Sequence, residues 1–280
     1  MKMRRFQSVQ GTIKRGNQSV IRGRLAEKAT HRQQVILGNH DWMGNWCLDK
    51  EAWVIAGDGT LFGFQFEKLR ERKDAVFICI NDSILDVPFA DLWCFLDPGV
   101  QKRLQIDVQN VEHRTLCGHR AQMTAGGKVT ALHTVQKYNP WPSDQLAGVS
   151  TSTHLGICAA LWGNARIVRV LGASSNHLDE SQIEPFLAYA RANSDWYNVT
   201  PEREQLLREH VRKNNVLQHY YGIDRYESHP RIDKGGKAKL KSTFYSMNAS
   251  YKIFGSQADR IAIHSFMSRN VGLRQETKLP

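Results

Sequence analysis

The sequence has no cysteine pair at C-x-x-C spacing, no long apolar run and no excess of acid. Five cysteines are spread over 280 residues (Cys47, Cys79, Cys94, Cys117 and Cys158), most of them inside apolar runs. They read as small buried hydrophobes of a reducing compartment, which excludes a disulfide framework. No stretch approaches the roughly 18 apolar residues of a membrane span. The basic start, Met1 to Val9, leads into no apolar core of a secretory leader. A cytoplasmic protein with no membrane partner is therefore expected. No heptad pattern appears, so oligomeric state is not legible.

What the chain has in excess is positive charge. A net charge of +11 favours polyanionic partners through counterion release and steering, and nucleic acid is the first candidate. The charge is uneven. Lys2, Arg4, Arg5, Lys14, Arg15, Arg22, Arg24, Lys28 and Arg32 are opposed only by Glu27 in the first 32 residues. That segment reads as a basic N-terminal arm able to lie on phosphates, with Arg4, Arg5, Lys14 and Arg15 as contacts. Arg231, Lys234, Lys237, Lys239 and Lys241 form a second cluster around Gly235-Gly236. In it Arg231, Lys234 and Lys237 are candidates for phosphate or nucleic-acid contact.

With 41% hydrophobic residues the chain can bury a full core, and strand-like and helix-like segments alternate along it, as in a parallel sheet covered on both faces. Short apolar runs at Ala52–Ala56, Ala75–Ile80, Leu92–Leu96, Arg166–Leu171 and Arg260–Ile263 are predicted strands. Thr153–Trp162, closed by Gly163, and Ser242–Phe254, closed by Gly255, are predicted helices. Asp179 caps a predicted helix running to Asp195, and Thr200-Pro201 with Glu202 and Glu204 starts another. The expected fold is a single Rossmann-like, doubly wound, mostly parallel α/β sheet with an inserted helical lid. Residues 1–50 are the arm and lead-in, 51–175 the nucleotide-binding core, 176–241 the lid, and 242–280 the closing helix and strand.

Polar and glycine clusters recur where predicted strands end: Gly57-Asp58-Gly59-Thr60, Asn81-Asp82-Ser83, Asp97-Pro98-Gly99, Gly172-Ala173-Ser174 and His264-Ser265. Ligands of open α/β sheets bind outside the strands' carboxyl ends, so these clusters are expected to line one crevice. A Gly-x-Gly turn admits a phosphate to backbone N–H groups. Asp58 beside it would repel phosphate and suits a ribose hydroxyl instead. Asn81 carries both a donor and an acceptor for a base or ribose. Ser152 and Thr153 start a helix aimed at the crevice and serve either as caps or as ligand contacts. Gly172 and Ser174 complete the binding set, with Asp82 beside Asn81.

The runs VIAGDGTLFGFQFEKL (Val54 to Leu69), AVFICIND and DLWCFLDP resemble the opening of the bacterial sialyltransferases with a single Rossmann-like domain. They equally resemble the related 6-hydroxymethylpterin pyrophosphokinase-like and phage proteins. STSTHLGICAALWGNARIVRVLGAS (Ser150 to Ser174) and YKIFGSQADRIAIHSFMS (Tyr251 to Ser268) match later parts of the same pattern. The resemblance implies a nucleotide site on the glycine loop and Asn81. It also implies a lid histidine as general base, with His229 the best positional match and His177 second. Asp97, at a strand end, is the carboxylate alternative, since transfer to a hydroxyl needs a base within reach. The chain departs from the pattern in lacking the proline after the glycines and the acidic residue after Gly172, so the family's sialic acid donor is not carried over.

Gly38-Asn39-His40-Asp41 has the look of a metallophosphoesterase motif, but no Asp precedes Asp41, so the two-metal set is incomplete. No metal and no tightly bound cofactor are expected. The expected function is glycosyl transfer from a nucleotide sugar to a polyanionic acceptor, foremost a modified base in phage DNA, in the host cytoplasm. The lid tyrosines Tyr220, Tyr221 and Tyr226 are available to stack on a flipped base. The alternatives are a glycan-directed sialyltransferase-like enzyme, a pterin-type pyrophosphokinase, or a nucleotide-binding phage protein without catalysis.

Overall fold

The computed structural model describes residues 34–37, 44–96, 99–100, 104, 114–118, 130–134, 151–173, 178–220, 252–266 and 273–280. Nine strands form one sheet: β1 (Gln34–Leu37), β2 (Glu51–Ile55), β3 (Ala75–Ile80), β4 (Leu92–Phe95), β5 (Arg114–Gly118), β6 (Thr130–Thr134), β7 (Ile167–Leu171), β8 (Ile261–His264) and β9 (Arg274–Glu276). Their order is β1-β6-β5-β4-β3-β2-β7-β8-β9. Only β1 pairs antiparallel, with β6; every other pairing is parallel.

The winding follows from where the chain goes after β2. It runs outward through β3, β4, β5 and β6, then returns across the sheet to place β7 on the other side of β2. The strand order therefore reverses between β2 and β7. In open α/β sheets the carboxyl ends at such a reversal are where ligands bind; here the segments that follow β2 and β7 pack on the same face of the sheet.

Each central strand is apolar on both faces, as a strand buried between two layers must be. Ala52, Val54, Val76, Ile78, Ile80, Leu92, Cys94, Val168 and Val170 face α1 (Ser152–Trp162), and Trp53, Ile55, Phe77, Cys79, Trp93, Phe95 and Leu171 face the opposite layer. Helix α1 is buried from Thr153 to Leu161. That explains its lack of a polar face: it lies across β2, β3, β4 and β7, while the Gly44–Lys50 turn reaches its last turn through Trp46 Nε1 donating to Ala159 O.

The opposite layer takes up the described part of the segment 176–241, residues 178–220; residues 221–241, expected in the lid, lie outside the described residues. Helices α2 (Glu180–Ala192) and α3 (Pro201–Asn214) put Ile183, Phe186, Leu187, Ala190, Leu207 and Val211 into the same buried cluster as Trp53 and Ile55. Apolar stripes at helical spacing found the sheet, so the described helices of that segment are a structural layer. Their expected caps are present, Asp179 accepting from Ser181 N and Thr200 from Arg203 N, although α2 stops at Ala192 and not at Asp195.

Two boundaries differ elsewhere. The lead-in contributes β1 to the sheet edge, so residues 34–37 are not part of an arm. The run Lys252–Arg260 is a 3-10 helix that passes through Gly255, whereas a stop was expected there; Ser242–Tyr251 lie outside the described residues. No described helix is long and apolar enough to cross a membrane.

One polar network is built into the face under α2. Arg169, in the middle of β7, donates to Glu51 (3.2 Å) and to Glu276 (3.0 Å). Its guanidinium lies beside His264 Nε2 (3.4 Å) and 5.8 Å from the Trp53 ring centroid, and Trp53 stacks on His264. Burial alone would raise the Glu51 carboxyl, but the bond and charge of Arg169, with Trp53 and Arg72, hold it below the usual carboxylate range.

Candidate crevice at the reversal of strand order

The loop Gly57–Thr60 leaves β2 at the reversal point and turns at once into a 3-10 helix, Gly59–Leu61. Asp58 starts that turn. Its Oδ1 accepts from Thr60 N at 2.9 Å and from the Thr60 hydroxyl, while its own N–H donates to Gly172 O at 2.9 Å. Asp58 and Thr60 are both buried, so Asp58 acts as a cap here. Thr60 is fixed from the other side, its carbonyl accepting from Tyr197 OH at 3.0 Å.

The remaining groups of the loop meet residues 215–220. Gly59 N donates to Gln218 O at 3.2 Å, and Gly57 O accepts from His219 Nδ1 at 2.9 Å. A Cβ on Gly59 would lie 2.5 Å from Leu217 O, so glycine here admits another stretch of backbone. Gly172 has φ +63° and a Cβ there would meet Leu61 Cδ1 at 2.5 Å. Its need for glycine is thus conformational and steric.

Asn81 ends β3 with φ 53°, the left-handed region that asparagine tolerates best after glycine. Its backbone carbonyl accepts from Trp93 Nε1 at 2.8 Å. Its side-chain Oδ1 is buried and has no partner among the described residues, which leaves an acceptor available to a ligand donor. Asp82 is buried in the first turn of the 3-10 helix Asn81–Leu85. Ser83 ties the two strand tips: its Oγ accepts from Ile80 N and donates to Ile55 O, each at 2.8 Å. Ser83→Ala is expected to cost about 1–3 kcal/mol, the penalty of leaving such buried groups unpaired. Urea unfolding reads this, and a loss under about 0.5 kcal/mol would contradict the tie.

The start of α1 is tied to the end of β4. Thr151 is the cap, accepting from His154 N at 3.2 Å, one residue earlier than expected. Ser152 Oγ accepts from Leu96 N at 3.0 Å, and Thr153 is buried. Gly57, Asp58, Gly59, Thr60 and Gly172 are thus brought together by direct contacts, while Asn81 and Asp82 follow the neighbouring strand and Ser152 the next. Asp97, Ser174, His177, His229, Arg231, Lys234, Lys237, Arg4, Arg5, Lys14 and Arg15 lie outside the described residues, as does the Gly38–Asp41 motif. Among the described residues no cluster of three His, Cys, Asp or Glu side chains suits a metal.

His219 is the residue that the sequence did not single out. A carbonyl can only accept, so the bond to Gly57 O puts the proton on Nδ1 and leaves the basic lone pair of the neutral ring on Nε2. His264 and His154 are different. Burial pushes both down to about 3, with Arg169 and Arg274 adding to the effect at His264. Both rings are neutral in the folded chain, whereas the unfolded chain protonates them near the ordinary value of 6.5. A depressed folded value means that stability is intact above about pH 6.5 and falls as pH drops toward 3. At pH 5.5 the expected loss is about 2–3 kcal/mol for the pair, read as a lower urea midpoint. An unchanged midpoint between pH 7 and 5.5 would contradict it.

A cavity of about 760 Å³ opens at the other end of the sheet, at the amino ends of β2, β3 and β7, lined by Glu51, Lys68, Arg72, Arg166, Trp196 and neighbours. Its charges answer one another, Arg72 and Arg166 both lying within 4.0 Å of Glu51. Lys68, Arg72, Lys73 and Arg166 face Glu51, Glu71, Asp74 and Asp195 along its wall, so its charged side chains balance. No protein-family model, curated protein or solved structure matches this chain.

Proposed function

We propose that this chain binds a nucleotide-activated sugar in the crevice between β2 and β7 and transfers the sugar to a polyanionic acceptor, a modified base in DNA being the acceptor that its charge favours. The observation that carries this reading is the reversal of strand order at β2/β7, the position where open α/β sheets take their ligands. The buried Asn81 Oδ1 adds an acceptor for a base or sugar donor at the adjacent strand tip. Asp58, capped onto Thr60, serves the shape of the loop before any ribose.

His219, carried on the segment that meets Gly57, joins His229, His177 and Asp97 as a candidate general base. The nucleotide, the sugar and the acceptor atom stay open in this proposal.

The charge supports a division of labour. Acidic and basic side chains nearly balance among the described residues, so the whole excess of +11 lies in the segments outside them. The acceptor polyanion is accordingly held by those segments, with Arg4, Arg5, Lys14, Arg15, Arg231, Lys234 and Lys237 as contacts, while the sheet holds the nucleotide. DNA affinity should then fall steeply with salt, since each phosphate contact adds about 0.9 to the log–log slope.

The direct test is incubation with DNA and a panel of nucleotide sugars, digestion to nucleosides and mass spectrometry. A hexose or pentose increment on one nucleoside is expected. No increment across several modified DNAs, or DNA binding insensitive to salt, would overturn the proposal.

A further inference from the structure

We propose that residues 215–220 form a strap that occupies the glycine loop in the ligand-free chain and must swing away before a nucleotide reaches Gly57 and Gly59. The inference rests on the nucleotide reading of the crevice and adds how that crevice is opened. Asn215, at φ 63°, ends α3 and turns the chain back over the carboxyl end of β2. Leu217 then exchanges backbone bonds with Leu178, at 2.7 and 3.1 Å. Gln218 O takes the Gly59 N–H, and His219 Nδ1 donates to Gly57 O.

The inner amides of the loop tell the two kinds of contact apart. The N–H groups of Asp58 and Thr60 are consumed within the β2–β7 unit itself, by Gly172 O and Asp58 Oδ1. The Gly59 N–H and Gly57 O are held by the strap, so these are the two polar groups that a ligand gains when the strap leaves. The strap is seated by these backbone bonds and by the buried side chains of Leu217 and Tyr220. Tyr220 OH donates to Asp86 Oδ2 at 2.5 Å, and its ring packs 5.3 Å from that of Phe66. This charge-assisted bond is the side-chain latch. None of these bonds belongs to the strand ladders of the sheet, so the segment can open locally while the sheet stays folded.

The test is hydrogen exchange at the Gly59 amide of the full chain, in wild type, Tyr220→Phe and Asp86→Ala, without ligand and then with a panel of nucleoside diphosphates. Tyr220→Phe keeps the ring against Phe66, and Asp86→Ala breaks the same bond from the other side. Exchange at Gly59 is expected to quicken about tenfold in each variant, with tighter nucleotide binding, and Leu217 should lose protection when nucleotide binds. Unchanged protection of Gly59 in both variants, or a gain at Leu217 on binding, would overturn the strap. A loosened Gly59 with no nucleotide bound by any of the three proteins would instead overturn the nucleotide site.

Discussion

Replacing Arg169 by methionine is expected to destabilise the chain by about 3–5 kcal/mol, the loss typical when one partner of a buried ion pair is removed. The size follows from what is left behind. Arg169 and Glu51 keep only 12% and 15% of their side-chain surface exposed, and Glu276 shares the same guanidinium while also pairing with Arg274 at 2.9 Å. Without it two carboxylates face each other beside an apolar Trp53 and a neutral His264. Arg72, 3.8 Å from Glu51, offsets part of the loss. The double variant Arg169→Met with Glu51→Gln should recover a substantial share, because it removes an uncompensated charge as well as the pair. Urea unfolding of the four proteins checks this. A single-variant loss under about 1 kcal/mol would mean that the network contributes little to the fold.

Replacing His219 by asparagine is expected to lower kcat for sugar transfer by about 10²- to 10⁴-fold with little effect on stability. The Asn amide can still donate to Gly57 O in the ligand-free chain, but it brings no basic nitrogen to the site. A base lost in this way also removes the limb of the pH–rate profile that a titrating imidazole imposes. A variant that keeps the full rate and the full profile would return the role of base to His229, His177 or Asp97. One that loses rate only through a higher KM would make His219 a residue for positioning substrate.

The sheet was legible where chemistry is local. Buried strands such as Ala75–Ile80 announce themselves as short apolar runs ended by polar turn residues, and Thr200-Pro201 and Asp179 mark helix starts by caps that satisfy exposed N–H groups. The strand ends were legible for the same reason, since the glycines and Asn81 stand there. Strands away from the middle of the sheet were not. Arg114–Gly118, Thr130–Thr134 and Arg274–Glu276 carry few apolar residues in a row, and their pairing is decided by neighbours far along the chain.

What the helices of 178–220 cover was not legible, because an amphipathic helix declares an apolar stripe without declaring what it covers. Ile183, Phe186 and Leu187 cover the sheet. His219 escaped notice because its role depends on meeting Gly57, 162 residues away in the sequence. The one local signal is the spacing of Leu217 and Tyr220, two buried residues in a polar stretch, which pins the segment between them. The role of Asp58 was also undecidable locally, since the carboxylate that caps Thr60 and one that meets a ribose look identical in sequence.

The account turns on the crevice at β2/β7 being the nucleotide site. Titration of the isotope-labelled full chain with nucleoside diphosphates and nucleotide sugars, followed by amide NMR shifts, tests that most directly. Saturable shifts at Gly57, Asp58, Gly59, Thr60, Asn81 and Gly172 are the predicted result. Shifts confined to Glu51, Arg72, Arg166 and Trp196 at the opposite end of the sheet, or no saturable shift with any nucleotide, would contradict it.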